Sequence, residues 1–164
     1  MPTVPAATSI EMNSAELKWE VIGFQALETD LLYDILQLRQ QIFIVEQNCV
    51  YQDLDNLDQQ SLHLCARRNG KLLAYLRALP PGLGYAEASL GRIAVSEAAR
   101  GLQLGRELVK RGIELAHRTW PTSDIKIGAQ AHLEAFYTSM GFGTIGDVYD
   151  EDGIPHIKML LRRN

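Results

Sequence analysis

An α/β fold, with one mixed central sheet flanked by helices, is predicted from three features of the chain. Apolar runs with a period of two alternate along the sequence with runs of helical period. Two of the short-period runs flank Asn69-Gly70, the dipeptide best suited to a two-residue hairpin turn. A third run ends at Val95 and passes through a short Arg- and Gly-containing loop into a helical pattern, a strand-to-helix connection typical of layered α/β domains. In chain order the elements read β-α-β-β-β-α-β-α-β-β.

Residues 1 to 16, with Pro2 and Pro5 among small polar neighbours, read as a flexible tail without chemistry, and residues 17 to 164 as a single domain. Leu17 to Phe24 alternates as a first strand, and Leu31, Leu32, Ile35, Leu38, Ile42 and Val45 recur at helical spacing. From Glu46 to Gln60 the periodicity stops and acids and amides take over. That long loop reads equally as a binding element or lid and as an acidic, solvated connector. Ser61 to Arg68 and Lys71 to Leu79 form the hairpin, and Pro80-Pro81-Gly82-Leu83-Gly84 breaks the chain before a strand from Tyr85 to Val95.

A helix from about Gln103 to His117 turns Leu104, Leu108, Ile113, Leu115 and Ala116 inward and leaves Arg106, Glu107, Lys110, Arg111 and Glu114 outside, with Pro121 stopping it. Asp124 to Gln130 is a short strand, Leu133 to Met140 a short helix ended by Gly141, and Phe142 to Tyr149 another strand. Asp150-Glu151-Asp152-Gly153 makes the turn into a last strand, His156 to Leu161.

Composition excludes several classes. The 164 residues carry a formal charge of −4, so a dense basic surface for nucleic acid or an anionic membrane is not expected, although a small basic pocket is compatible with that total. No cationic start followed by an apolar run marks a signal peptide, and no stretch approaches the roughly 20 apolar residues that cross a bilayer. With Cys49 and Cys65 as the only cysteines, a soluble cytoplasmic protein with reduced, packed thiols is expected.

Motif chemistry narrows the field further. His63, His117, His132 and His156 are scattered without metal-ligand spacing, so no metal site is expected. The loop lacks the lysine and hydroxyl of a nucleoside-triphosphate cradle, and no dinucleotide fingerprint or Gly-x-Ser-x-Gly elbow is present. What remains is the segment from Gly91 to Arg106. A loop opening into a helix N-terminus presents unpaired N–H groups and the positive end of the helix dipole, so the expected ligand carries a pyrophosphate.

The loop stands as Arg100-Gly101-Leu102-Gln103-Leu104-Gly105. With the element order, it resembles the GNAT superfamily of acyl-CoA-dependent N-acetyltransferases, whose loop reads Arg/Gln-x-x-Gly-x-Gly/Ala. The resemblance covers roughly residues 17 to 161, with Gln103 in the place of the first glycine. Main-chain N–H groups do the holding, so Gln103 serves if its φ is negative. Leu38 to Gln47, then Tyr51, Asp53, Asp55, Asp58 and His63, look like the ElaA-like branch. Gly128 to Tyr137 and Tyr149 to His156 are similar to that branch as well.

The resemblance implies a GNAT-like mixed sheet, with pantetheine lying between the strand at Ile93, Ala94 and Val95 and the strand from Ile125 to Gln130. It implies acetyl-CoA as acyl donor, its pyrophosphate held by Arg100, Gly101, Leu102, Gln103, Leu104, Gly105 and Arg106, with His132 near the cofactor and no metal. Tyr137 is the implied general acid for the departing thiolate. Glu46, Asp55 and His63 fall on the acceptor side, where a carboxylate either takes the amine proton, Glu46 foremost, or attracts a cationic substrate. Arg77 and Arg92 either pair with acids or select an anionic group, and His156 closes the pocket.

The implied reaction is direct acetyl transfer in a ternary complex to a primary amine of a small molecule or peptide, with no nucleic-acid or membrane partner. A CoA-binding regulatory module with little turnover is the alternative. An edge-paired C-terminal hairpin is compatible with a homodimer.

Overall fold

Asn69 and Gly70 both take positive φ, 52° and 74°, and close the hairpin between β2 (Leu62–Arg68) and β3 (Lys71–Leu79) as their sequence demands. This computed structural model describes residues 16–164, so most of the expected N-terminal tail lies outside the described residues. β1 (Lys18–Gly23) pairs antiparallel with β2, and β4 (Ser89–Val95) pairs antiparallel with β3, giving a sheet ordered β1-β2-β3-β4. β3 is buried on both faces from Leu72 to Leu79, which explains its nearly unbroken apolar sequence.

The second half repeats the logic. β5 (Ile125–Gln130), β6 (Gly143–Glu151) and β7 (Ile154–Leu161) form a sheet ordered β5-β7-β6. The two sheets meet at a parallel bridge, Ala88 to Ile125, backed by a 2.9 Å bond from the Lys126 amide to the Ala88 carbonyl. Beyond that point β4 and β5 run apart.

Helices cover both faces. α1 (Thr29–Arg39) packs Leu31 and Ile35 against Cys65, Leu72 and Tyr75. On the opposite face α2 (Leu104–Thr119) places Leu108, Val109, Leu115 and Ala116 against Leu64, Leu76, Leu90 and Ile125. Gly112 lets this helix come close, since a Cβ there would lie 2.7 Å from Leu76 Cδ1. The short α3 (Glu134–Ser139) carries Tyr137 into the same core and is ended by Gly141 at φ 103°.

Three expectations needed correction. The first helix does not stay α-helical to Val45: from Gln40 to Glu46 it widens into π-helical winding, which buries Ile42 but carries Val45 round to 59% exposure. β4 begins at Ser89 rather than Tyr85, because the preceding residues form turns, with the Gly82 amide bonded to the Tyr85 carbonyl at 2.7 Å. The last hairpin turns on two residues, not four. Asp152 and Gly153 both take positive φ, 51° and 82°, so β6 continues to Glu151 and β7 starts at Ile154.

Candidate active site

The divergence of β4 from β5 opens a cleft of about 490 Å³. Gly91, Arg92 and Ile93 line one wall and Ile127, Gly128, Ala129 and Gln130 the other, with Leu133 and Tyr137 also in the lining. A bulge aims the β4 wall. The register passes from Tyr75↔Ala94 to Arg77↔Gly91, leaving Arg92 and Ile93 opposite Leu76 alone, with Arg92 at φ 50°. An extra residue of this kind turns main-chain groups out of the ladder, here beside the cleft. Ala94 and Val95 continue β4 beyond the bulge toward the loop.

The loop runs through Gly101 at φ 88° and Gln103 at φ 57°, and α2 starts at Leu104. The condition set for Gln103, a negative φ, is thus not met. Gln103 adopts the left-handed conformation that a glycine would take there, a conformation costing an L-residue roughly 1–2 kcal/mol. The amides of Leu104, Gly105 and Arg106 fall in the first turn of α2, where the helix offers them no carbonyl. Leu102 is exposed at the tip. Arg100 is paired with Glu46 at 2.7 Å, and Arg106 reaches Ser139 Oγ at 3.0 Å and lies over the Phe136 ring.

The acidic loop from Cys49 to Asp58 is neither a free lid nor a solvated connector. Arg39 donates to Asp53 at 2.9 Å and to Asp58 at 2.8 Å. Arg77 donates to Asp55 at 2.7 Å and to Asp58 at 2.9 Å, and Arg92 pairs with Asp53 at 2.7 Å. Three guanidinium groups therefore balance three carboxylates, and the loop is strapped to α1, β3 and β4. Burial pushes the Asp55 carboxyl up, but the Arg77 hydrogen bonds and charge outweigh it and hold the group at about 2; Asp58 is lowered by the same contest with Arg39 and Arg77.

His63 stands behind this network. Its Nε2 lies 2.9 Å from the Asp58 carbonyl and its Nδ1 2.7 Å from the Tyr75 hydroxyl, while burial lowers its proton affinity. Cys49 closes the other end, its thiol donating to the Asp152 carbonyl at 3.2 Å across to the β6–β7 turn. Beside that turn Glu151 Oε2 lies 3.1 Å from His156 Nε2.

The structure gathers Ile93, Asp55, Arg77, Arg92, Tyr137 and His156 around one cleft. It does not bring Glu46 there: that carboxylate is on the surface with Arg100, outside the cleft lining. His63 is buried in the interior instead of facing an acceptor, and His132 is exposed on the 3₁₀ turn before α3. Burial against Phe136 and Phe142 raises Tyr137 to about 12, so its phenol keeps its proton at neutral pH. Arg39 and Glu151 were not expected in this region. Arg39 had a signal, since it continues the buried row Leu31, Ile35 of its helix and a charge on that row needs a buried partner.

A family model described as an acetyltransferase (GNAT) domain matches residues 34–163. The chain is 43% identical over 148 residues to a UPF0039 protein of Synechocystis sp., covering 90% of this chain and 96% of that one. It is similar in structure to an acyl-CoA N-acyltransferase from Pseudomonas aeruginosa, with TM-score 0.86 and 43% identity over 90% of this chain and 100% of that one. The crystal structure of Escherichia coli ElaA matches with TM-score 0.84 and 40% identity at the same coverage.

Proposed function

The chain belongs to the GNAT acetyltransferase family and is an acyltransferase, and from that premise we propose that it transfers an acetyl group from acetyl-CoA directly to a primary amine of a small molecule or peptide in a ternary complex. The observation that carries this reading is the cleft between β4 and β5. Ile93 of the bulge, Tyr137, His156 and residues of the strapped loop all line it. Donor and acceptor ends share one cavity, as direct transfer requires.

Acetyl-CoA, when bound, supplies an activated thioester. The chain's own residues do the rest. The free amides of α2's first turn, with Arg100 and Arg106 at the rim of the loop from Gly101 to Gly105, suit a pyrophosphate. His132, exposed on the 3₁₀ turn before α3, is the further side chain offered to the cofactor. Main-chain groups of Ile93, Ala94 and Val95 pair with an extended amide-bearing arm, and an amide turned out by the bulge polarises the thioester carbonyl. Tyr137 donates its phenolic proton to the departing thiolate. Asp55, Arg77 and Arg92 shape the acceptor end, held in place by His63 from behind, and Glu46 orients Arg100.

Among the described residues no helix is long and apolar enough to cross a membrane. Two free buried thiols support a cytoplasmic setting. β6, an edge strand exposing Ile145 and Val148, supports a homodimer through that edge.

A CoA-binding regulatory module is the second reading, favoured by the strained Gln103 and by loop arginines that already have protein partners. The two separate on mixing the protein with acetyl-CoA and a panel of primary amines. Thiol release that saturates in both substrates supports the enzyme. Saturable CoA binding without thiol release across the panel supports the module.

A further inference from the structure

Resting on the acetyltransfer reading, we propose that Lys158, Tyr85 and Tyr149 form a carboxylate-binding site on the β5 wall of the cleft, and that the acceptor is a primary amine that itself carries a carboxylate, an amino acid being the simplest case.

The cleft arginines do not serve this role. Arg77 and Arg92 are matched by Asp53, Asp55 and Asp58 within the strapped loop, so an anion arriving there has to displace a protein carboxylate. Lys158 is placed differently. Among the described residues no carboxylate lies at ion-pair distance from it. Its Nζ lies 4.7 Å from the ring centres of both Tyr85 and Tyr149, which hold the ammonium in place without neutralising it. Lys126 reaches the same Tyr85 ring at 5.1 Å, so two cations converge on one phenol with no anion between them.

Hydrogen-bond stoichiometry points the same way. An ammonium offers three hydrogens and a phenol one. Lys158 places one on the Tyr85 hydroxyl at 2.7 Å, and the Tyr85 hydrogen has no acceptor among the described residues. The Tyr149 hydroxyl is buried with no hydrogen-bond partner. Any hydrogen its oxygen takes from the neighbouring ammonium still leaves its own unplaced. The cluster is thus rich in donors, positively charged and short of an acceptor. A carboxylate only accepts and is an anion, so it supplies both missing parts.

The sheet brings these atoms to the cleft. Gly128 of β5 stands opposite Lys158 of β7 in the antiparallel register. A Cβ on Gly128 would lie 2.9 Å from Tyr149 Oη, 3.1 Å from Tyr85 Oη and 3.5 Å from Lys158 Nζ. The three polar atoms therefore converge over a point where the strand has no side chain, and Gly128 is exposed there. Gly128 and Tyr85 line the same cleft as Ile93 and Tyr137, so a carboxylate held at this point keeps its amine in the cavity assigned to the thioester.

The test uses the full-length protein with acetyl-CoA and matched pairs of amines, each amino acid beside its own carboxamide, read as thiol release per neutral amine. In the wild type the best carboxylate exceeds its carboxamide in kcat/KM at least about tenfold. Lys158→Met brings that ratio to about 1, and Lys158→Arg keeps part of it. Where Lys158→Met does not fold, Tyr149→Phe, which keeps the ring, decides by lowering the ratio roughly threefold. A wild type indifferent to the carboxylate, or a ratio unchanged in the deciding variant, overturns the site and leaves acetyl transfer standing.

If no amine of either kind releases thiol, the acetyltransfer reading has failed, and the site is judged by binding alone. Calorimetric titration with N-acetyl amino acids and their carboxamides, CoA being present, should show saturable binding of an acid that weakens at least about tenfold in Lys158→Met. No binding of any acid, or equal binding of acid and carboxamide, overturns it.

Discussion

Arg39 Nη1 and Asp58 Oδ1 lie 2.8 Å apart, joining the end of α1 to the far end of a loop that looks like surface chain in the sequence. The same Asp58 oxygen accepts from Arg77, so one carboxylate fastens both a helix and a central strand.

Replacing Arg39 by Ala removes one of two guanidinium partners from each of Asp53 and Asp58, both nearly buried, and leaves Arg92 on the first and Arg77 on the second. Breaking a buried pair outright costs about 3–5 kcal/mol, so with a second guanidinium left on each carboxylate a loss of about 1–3 kcal/mol is expected. Urea unfolding of the variant should show a loss in that range, and a loss below about 0.5 kcal/mol would mean that the loop is held by other contacts.

Acid should weaken the fold in two stages. His63 is depressed below its usual 6.5 by burial, so its contribution is complete above that value and declines as pH falls below it. Asp55 is depressed from 3.8 to about 2, so its contribution is present above about 4 and is lost as pH falls toward 2. Unfolding free energy measured from pH 7 to pH 2 should decline in both windows, and Asp55→Asn should flatten the lower one.

Gln103→Gly relieves a left-handed residue at the start of α2. Stability should rise by up to about 1 kcal/mol, the strain removed less the extra chain entropy of glycine. CoA should bind at least as tightly by calorimetry. A lower melting temperature would show that the Gln103 side chain contributes something the backbone conformation does not reveal.

Tyr137→Phe keeps the ring between Phe136 and Phe142 and removes only the hydroxyl. Turnover should fall roughly 100-fold with CoA affinity little changed, and the alkaline decline of kcat should disappear. Unchanged turnover and an unchanged alkaline profile would remove Tyr137 from the chemistry.

The parts of this molecule that were legible in the sequence are those set by local rules. Asn69-Gly70 dictated its hairpin, and the apolar row of α2 dictated which face it buries. The loop from Gly101 to Gly105 was recognisable because glycine and a helix start leave few other arrangements. What stayed hidden depends on distant partners. Asp53, Asp55 and Asp58 look like solvated acids until Arg39, Arg77 and Arg92 arrive from three different elements. Glu46 had the right chemistry for a base, but the π-helical winding ends it at the surface beside Arg100. The Glu151–His156 contact was obscured because Asp150 to Gly153 read as a four-residue turn, which would have placed Glu151 off the strand.

The parting of β4 and β5 after the Ala88 bridge leaves two strand edges confronting each other inside one molecule, a situation folded proteins normally reserve for their outer margins. Such margins select guests by shape before chemistry. A compact molecule meets only one edge at a time, whereas a thin chain with amides along its length engages a strand ladder as a neighbouring strand would. On the acetyltransfer reading proposed above, the gap acts as a caliper for long, narrow carriers and leaves the other groups of its lining to select the amine.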